Sequence, residues 1–253
     1  NLRNNNHFNQ AILLEVPLGF EESHLVEIVT ALYRCQDALR LKFDNSTLEK
    51  TASYRPFEPA MVADAVVDSI LLADGLQLAS MDFNKLFDQL HMGLDIETGK
   101  LFKTLLIRDE TGDGRLLLVG HHLIVDGVSW RILLQDITSA WENIQAGKTI
   151  TLAAKTSSLQ QWGSAIEKYA ETEELQRQKA FWLSQLDVDK GLHLPTITDS
   201  RAETRFQSEL LLDRKLTDVL LGPCKQAYGT EVQELLLAAF YQAFAEVSGN
   251  KQL

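Results

Sequence analysis

Hydrophobic residues return along this chain with two different periods, and the changes from one to the other divide it into elements. Ile12 to Val16 reads as a strand, closed by Pro17 and Gly19. Leu25, Ile28, Val29, Leu32 and Tyr33 then repeat at helical spacing, and Asp37 to Phe43 leads into a second strand. Ala60 to Leu72 is predicted helical, Asp74-Gly75 a turn and Asp82 to Leu90 a short helix. Asp95-Ile96-Glu97-Thr98-Gly99 leads into a strand from Leu101 to Ile107. Thr111-Gly112-Asp113-Gly114 is a hairpin signal joining it to Leu116–Val119, an apolar run of the kind that makes a buried strand. Ile132, Leu133, Ile137, Ala140, Trp141 and Ile144 then recur at spacings of mostly three and four. They predict a helix that begins near Val128 and ends at Gly147-Lys148.

The second part of the chain is more helical. Ser158 to Ala170 and Glu173 to Leu186 read as consecutive helices, with Trp162, Phe181 and Trp182 as packing residues. Asp187 to Thr204 mixes Asp, Gly, Pro and Ser without periodicity and reads as a linker. A strand from Phe206 to Leu212 and a helix from about Leu216 to Ala227 follow. Thr230 with Gln233 forms a capping box opening a strongly apolar helix. Val232, Leu235, Leu236, Ala239, Phe240, Ala243, Phe244 and Val247 give it an apolar face wider than a surface helix needs.

Composition narrows the classes. A length of 253 residues allows one large domain or two small ones, and 45% hydrophobic with 23% charged residues supplies a sizeable core. The net charge of −11 argues against a nucleic-acid surface. No run approaches the length of a membrane span, and the polar N-terminus is unlike a signal peptide, so the cytoplasm is the expected location. Cys35 and Cys224 lie far apart in helix-like patterns, which favours free thiols over a disulfide.

Candidate chemistry concentrates where the Leu116–Val119 strand gives way to a loop, in Gly120-His121-His122-Leu123-Ile124-Val125-Asp126-Gly127-Val128-Ser129-Trp130. Consecutive side chains of an extended segment point to opposite sides, so one imidazole looks into a cleft and the other into the structure. Imidazole titrates nearest neutrality and is the usual mover of protons. Asp126 could orient a ring or hold the loop through a buried ion pair. Gly127 either adopts angles that a side chain would penalise or lets another group approach. The competing reading of each histidine is a satisfied core residue. No metal site is expected, because there is no HExxH and no cysteine cluster.

His121-His122-x-x-x-Asp126-Gly127 resembles the HHxxxDG signature of the condensation-domain superfamily of nonribosomal peptide synthetases, itself similar to acyltransferases of the chloramphenicol acetyltransferase type. The longer string His121 to Leu133 resembles the epimerization-domain version, whereas peptide-bond-forming members more often carry Trp where this chain has Val128. His7-Phe8-Asn9-Gln10 with Ala11 to Glu15 is similar to the opening strand of epimerization domains. Lys155-Thr156-Ser157-Ser158-Leu159-Gln160-Gln161-Trp162 is similar to their next signature.

The resemblance implies an α/β fold: a chloramphenicol-acetyltransferase-like lobe with a mixed sheet flanked by helices, plus the start of a second similar lobe. It implies an N-terminal lobe over residues 1–186, a linker over 187–204 and the beginning of a C-terminal lobe over 205–253. It implies inversion at Cα of an aminoacyl or peptidyl thioester. His122 would be the catalytic group, with His121 structural, Asp126 and Gly127 supporting it, and Ser129 and Trp130 shaping the pocket floor and helix start. Arg40, in a stretch similar to another superfamily motif, would form an ion pair with Asp126. Cys35 and Gln36 stand before that stretch where the family usually has His. The 4'-phosphopantetheine arm of a peptidyl carrier protein would present the substrate, and other synthetase modules would be partners; no nucleic acid, membrane or bound organic cofactor is implied. The family's Glu-Gly-His-Gly-Arg-Glu-like motif, which supplies a second acid/base group, has no counterpart in this sequence. The chain by itself is therefore expected to be inactive and to need the rest of the second lobe. Its alternatives are a condensation domain or a non-catalytic carrier-docking fragment.

Overall fold

Leu116 to Val119 lies in the middle of a four-stranded mixed sheet that organises the N-terminal part of the molecule. The structure, a computed structural model, describes residues 5–46, 50–72, 83–185 and 209–248. The elements run β1 (Asn9–Val16), α1 (Glu22–Cys35), a 3-10 turn (Asp37–Arg40), β2 (Leu41–Asp44), β3 (Thr51–Tyr54), α2 (Pro59–Ala65) and β4 (Val66–Leu72). Then come α3 (Phe83–Met92), β5 (Phe102–Asp109), β6 (Gly114–His121), α4 (Gly127–Gln145), α5 (Leu159–Ala170) and α6 (Glu173–Gln185). The last described elements are α7 (Arg214–Val219), α8 (Lys225–Tyr228) and α9 (Val232–Ser248). Two compact units result, Asn1–Ile166 and Glu167–Leu253.

In the first unit the strand order is β1-β6-β5-β4, with β6 antiparallel to both β1 and β5, and β4 parallel to β5. Alternation along β6 sends Leu116 and Leu118 to one face, where they join Leu106, Leu25, Ile28, Leu32, Met61, Leu133 and Ala140. Leu117 and Val119 go to the other face and meet Leu105, Ile107 and Leu90, with Leu86 and Phe87 of α3. Both faces are therefore covered, which is why β6 reads as an unbroken apolar run. β1 is an edge strand whose Ile12, Leu14 and Val16 pack inward while the residues between them are exposed. The hairpin between β5 and β6 turns at Gly112, whose φ of 89° is open to glycine and strained for other residues.

Several expectations are corrected. Residues 60–72 are not one helix: α2 stops at Ala65, and Val66–Leu72 forms β4, parallel to β5. Its β-branched Val66, Val67 and Ile70 favour a strand. β3, which pairs with β2, is absent from the sequence-based expectations. The predicted turn at Asp74-Gly75 and the linker over 187–204 lie outside the described residues. Glu209–Leu212 has no regular structure where a strand is predicted, and Phe206 to Ser208 lie outside the described residues. The helical run after Asp213 contains a π-helical segment, Leu220–Cys224, around Pro223, which has no N–H to close an ordinary turn. The contact opening α9 is shifted by one residue: the Glu231 amide donates to Glu234 Oε2 at 2.7 Å, while the buried Thr230 hydroxyl has no partner among the described residues. Trp162, Phe181 and Trp182, expected to pack, are 61%, 58% and 56% exposed. Cys35 and Cys224 are free and half-buried. No described helix is long and apolar enough to cross a membrane.

Candidate active site

The site begins where β6 ends. The His121 amide donates to Leu101 O at 2.9 Å, while its carbonyl accepts from Ile124 and Val125 N–H at 2.9 and 3.2 Å, folding the chain back at once. His121 is 2% exposed. Its Nε2–H donates to the Asn5 carbonyl at 2.8 Å and its Nδ1 accepts from the Leu123 amide at 3.1 Å. Burial holds this imidazole below its ordinary pKa, partly offset by the bond to Asn5. His121 is thus a neutral internal brace of the turn.

His122 is half-buried and has the opposite surroundings. Its backbone N–H donates to Phe8 O at 2.8 Å, and the Phe8 ring packs on the imidazole with centroids 4.7 Å apart. Nδ1 lies 2.8 Å from the Val125 carbonyl oxygen, and Nε2 lies 3.3 Å from Gln10 Nε2. Gln10 Oε1 in turn accepts from the Trp130 indole N–H at 2.9 Å. His122 lines a cavity of about 380 Å³, together with Leu123 of the loop, Ser129 of α4, and Ser157, Leu159 and Trp162 of the downstream stretch. That stretch is held in place by Lys155 pairing with Asp37 and by a reciprocal cap, Ser158 N to Gln161 Oε1 at 2.8 Å and Gln161 N to Ser158 Oγ at 3.1 Å. The motifs around His122 and Ser157 thus meet at one cavity.

Asp126 does not pair with Arg40. Its Oδ1 caps α4, accepting from Val128 N at 3.0 Å, Ser129 N at 2.7 Å and Ser129 Oγ at 2.7 Å. Those donors, Ser129's amide first, hold the carboxyl below its ordinary value. Arg40 donates instead to the carbonyls of Tyr33, Arg34 and Arg55. The reason is local: the helix N-terminus already offers Asp126 its donors, and the last turn of α1 offers Arg40 unpaired carbonyls. Gly127 needs neither a positive φ nor crowding; a Cβ there would meet nothing within 4 Å. The close approach is at Gly120, where a Cβ would stand 2.9 Å from Val125 Cγ2 and 3.5 Å from Trp130 Cζ2. Trp130 is 7% exposed and braces Gln10 instead of flooring the cavity.

Gln10 and Gly120 carry more of the site than their sequence context suggests. The signal lies in the pairing of β1 with β6, whose register sets Gln10 opposite Gly120 and Asn9 opposite His121. Among the described residues, no three His, Cys, Asp or Glu side chains gather as a metal site. The arrangement sets one histidine among serines and apolar residues at a cavity, which suits moving a proton on a bound substrate.

Comparison with known proteins places the whole chain in one family. The family described as "Condensation domain" matches residues 1–253. Tyrocidine synthase 1 of Brevibacillus parabrevis is 30% identical over 256 residues, covering 100% of this chain but 23% of that protein. Bacitracin synthase 3 of Bacillus licheniformis is 30% identical over 260 residues, covering 100% of this chain and 4% of that protein. The chain therefore spans a small part of the curated relatives it matches. Among solved structures, the epimerization domain from the third module of tyrocidine synthetase B superposes with a TM-score of 0.81 at 29% identity, covering 97% of this chain and 56% of that one. SgcC5 from Streptomyces globisporus shares the fold at 16% identity, with a TM-score of 0.71 over 96% of this chain and 55% of that one. The mixed sheet flanked by helices, the HHxxxDG loop at the end of β6 and the match along the whole sequence make this chain a member of the condensation-domain family of nonribosomal peptide synthetases.

Proposed function

We propose that this chain is the His122-bearing lobe of an epimerization domain, acting on an aminoacyl or peptidyl thioester presented by the phosphopantetheine arm of a carrier protein. In this reading residues 1–186 form that lobe, 187–204 a linker, and 205–253 open a second lobe. The observation that carries it is the His122 imidazole at a cavity of about 380 Å³, bounded by two stretches that each resemble epimerization-domain signatures. A thioester carbonyl acidifies the neighbouring Cα–H. A base on one side can remove that proton while charge spreads to the thioester oxygen, and return of a proton from the other side inverts the centre. His122 supplies the group on this side. The resemblance assigns the group on the other side to a glutamate motif that this sequence does not contain. The cavity, lined by Ser129 and Ser157 beside Leu123, Leu159 and Trp162, fits an arm of alternating amides and methylenes.

A peptide-bond-forming role is the second reading, favoured by the description of the matching family. Against it stand Val128 after Asp126-Gly127 and the 29% identity to an epimerization domain along nearly the whole chain. The test is Cα–H exchange with solvent deuterium on a loaded carrier, using the polypeptide that contains the complete domain. Epimerization predicts exchange that is lost in His122→Ala, by about 100-fold or more, while carrier binding persists. Peptide formation with no Cα exchange would select the condensation reading, and full exchange in His122→Ala would remove His122 from the chemistry.

A further inference from the structure

We propose that Gln10 is a positioning residue that fixes which nitrogen of His122 carries the proton. The inference rests on the reading of His122 as the proton-transfer group. It starts at Trp130, whose indole nitrogen can only donate. The Gln10 atom 2.9 Å from it is therefore the amide oxygen. This orients the whole side-chain amide, so the group 3.3 Å from His122 Nε2 is an NH2 with nothing to accept. Nε2 must meet it with a lone pair. At the other end of the ring, the Val125 carbonyl 2.8 Å from Nδ1 can only accept, so Nδ1 carries the hydrogen. One tautomer satisfies both neighbours, and it leaves Nε2 as the basic atom. The Phe8 ring against the imidazole face restrains rotation out of this setting.

The two holds differ in strength. The Nδ1–H bond to Val125 O is of ordinary length, while the Gln10 contact is at the long end of hydrogen bonding. A substrate proton can thus replace Gln10 at Nε2 at little cost, after which the amide again marks the site for a lone pair. Gln10 belongs to β1, and the indole that aims it belongs to α4, so the tautomer depends on packing between an edge strand and a helix.

The test compares Gln10→Glu with Gln10→Leu. Glutamate keeps the length and still accepts from Trp130, but its second oxygen places an acceptor where the parent has a donor. Nε2 is then held with its proton and the basic lone pair is masked. With [15N]histidine, long-range 1H–15N spectra of the 253-residue chain separate a proton-bearing ring nitrogen from a bare one, and His122→Ala identifies the signal. The expected result is a bare Nε2 in the parent and a proton-bearing Nε2 in Gln10→Glu. Cα–H exchange, measured on the polypeptide containing the complete domain, should fall about 100-fold or more in Gln10→Glu. It should fall only about tenfold in Gln10→Leu, where Val125 still holds Nδ1–H. A packing role predicts the reverse order, because glutamate is the closer shape. Trp130→Phe supplies an independent arm: losing the N–H that aims the amide should give mixed ring-nitrogen signals. A proton-bearing Nε2 in the parent, parent-like signals in Trp130→Phe, or exchange in Gln10→Leu at or below that of Gln10→Glu would each overturn the proposal. Undiminished exchange in His122→Ala would overturn the proton-transfer reading instead, and the spectra would still decide the tautomer.

Discussion

Asp126 offers the sharpest test of how the loop is held, because two mechanisms predict different variant patterns. As an ion-pair partner of Arg40 it would need its charge; as a helix cap it needs an oxygen in the right place. The structure gives three bonds to one oxygen, from Val128 N, Ser129 N and Ser129 Oγ, and none to Arg40. Removing an N-cap side chain costs about 1 kcal/mol, and asparagine caps about as well as aspartate. Asp126→Ala should therefore lose about 1 kcal/mol in urea unfolding at pH 7, and Asp126→Asn about 0.5 kcal/mol or less. Arg40→Met removes a charged donor from three carbonyls and should cost about 1.5–3 kcal/mol. Since the two sites share no partner, the double variant should equal the sum within about 0.5 kcal/mol. The pH dependence gives a second reading. The folded-state carboxyl titrates below its ordinary 3.8, so its contribution is present above that value and is lost as pH falls through the lower, folded-state one. The Asp126→Ala deficit should shrink over that window. A coupling of about 3 kcal/mol between Asp126 and Arg40, the scale of a broken buried pair, would refute the capping account. An Asp126→Asn as unstable as Asp126→Ala would refute it too.

Gly120→Ala should destabilise the fold by about 1–3 kcal/mol, because the new methyl falls 2.9 Å from Val125 Cγ2 on a buried, stiff side chain. Val125→Ala in the same molecule should recover part of the loss, and a Gly120→Ala unfolding midpoint equal to that of the parent would show that the approach is not tight. His121, kept neutral by burial, has a folded pKa below the unfolded value of about 6.5. The parent should then lose stability as pH falls from about 6.5 toward the folded value, and His121→Asn should flatten that slope. His91, shifted the same way by burial, gives a common background, so parallel curves would contradict the assignment.

The site is legible in sequence wherever local chemistry decides the outcome. Two adjacent histidines at a strand end must diverge, and the structure seals His121 while His122 reaches a cavity. The strand Leu116–Val119 and the helix after Asp126 are readable because one is a continuous apolar run and the other has a helical stripe. Less can be read where partners are distant. Val66–Leu72 becomes a strand by pairing with β5, and its β-branched residues, which favour that outcome, are a weak local signal directly after the helical Pro59–Ala65. Gln10 acquires its importance from Trp130 and His122, 120 and 112 positions away. Arg40 departs from expectation for a related reason. Its charge suggests an acid partner, yet the unpaired carbonyls at the end of α1 are closer at hand.

The spacing of the loop motif has a direct physical reading. His122 needs a fixed acceptor for Nδ1, and the carbonyl three residues on, Val125 O, supplies it. That carbonyl stays put only if the next residue is pinned, and Asp126 is pinned by capping a helix whose first free amides are its own neighbours. One residue fewer between His122 and Asp126 would leave the ring facing a different peptide; one more would detach it from the cap. On the other side of the motif, Gly120 lets Val125 and Trp130 come close enough that the same packing aims Gln10 at Nε2. The imidazole is thereby held from both ends by groups whose positions derive from the start of α4, so the rigidity of one helix N-terminus is passed to both ring nitrogens of His122.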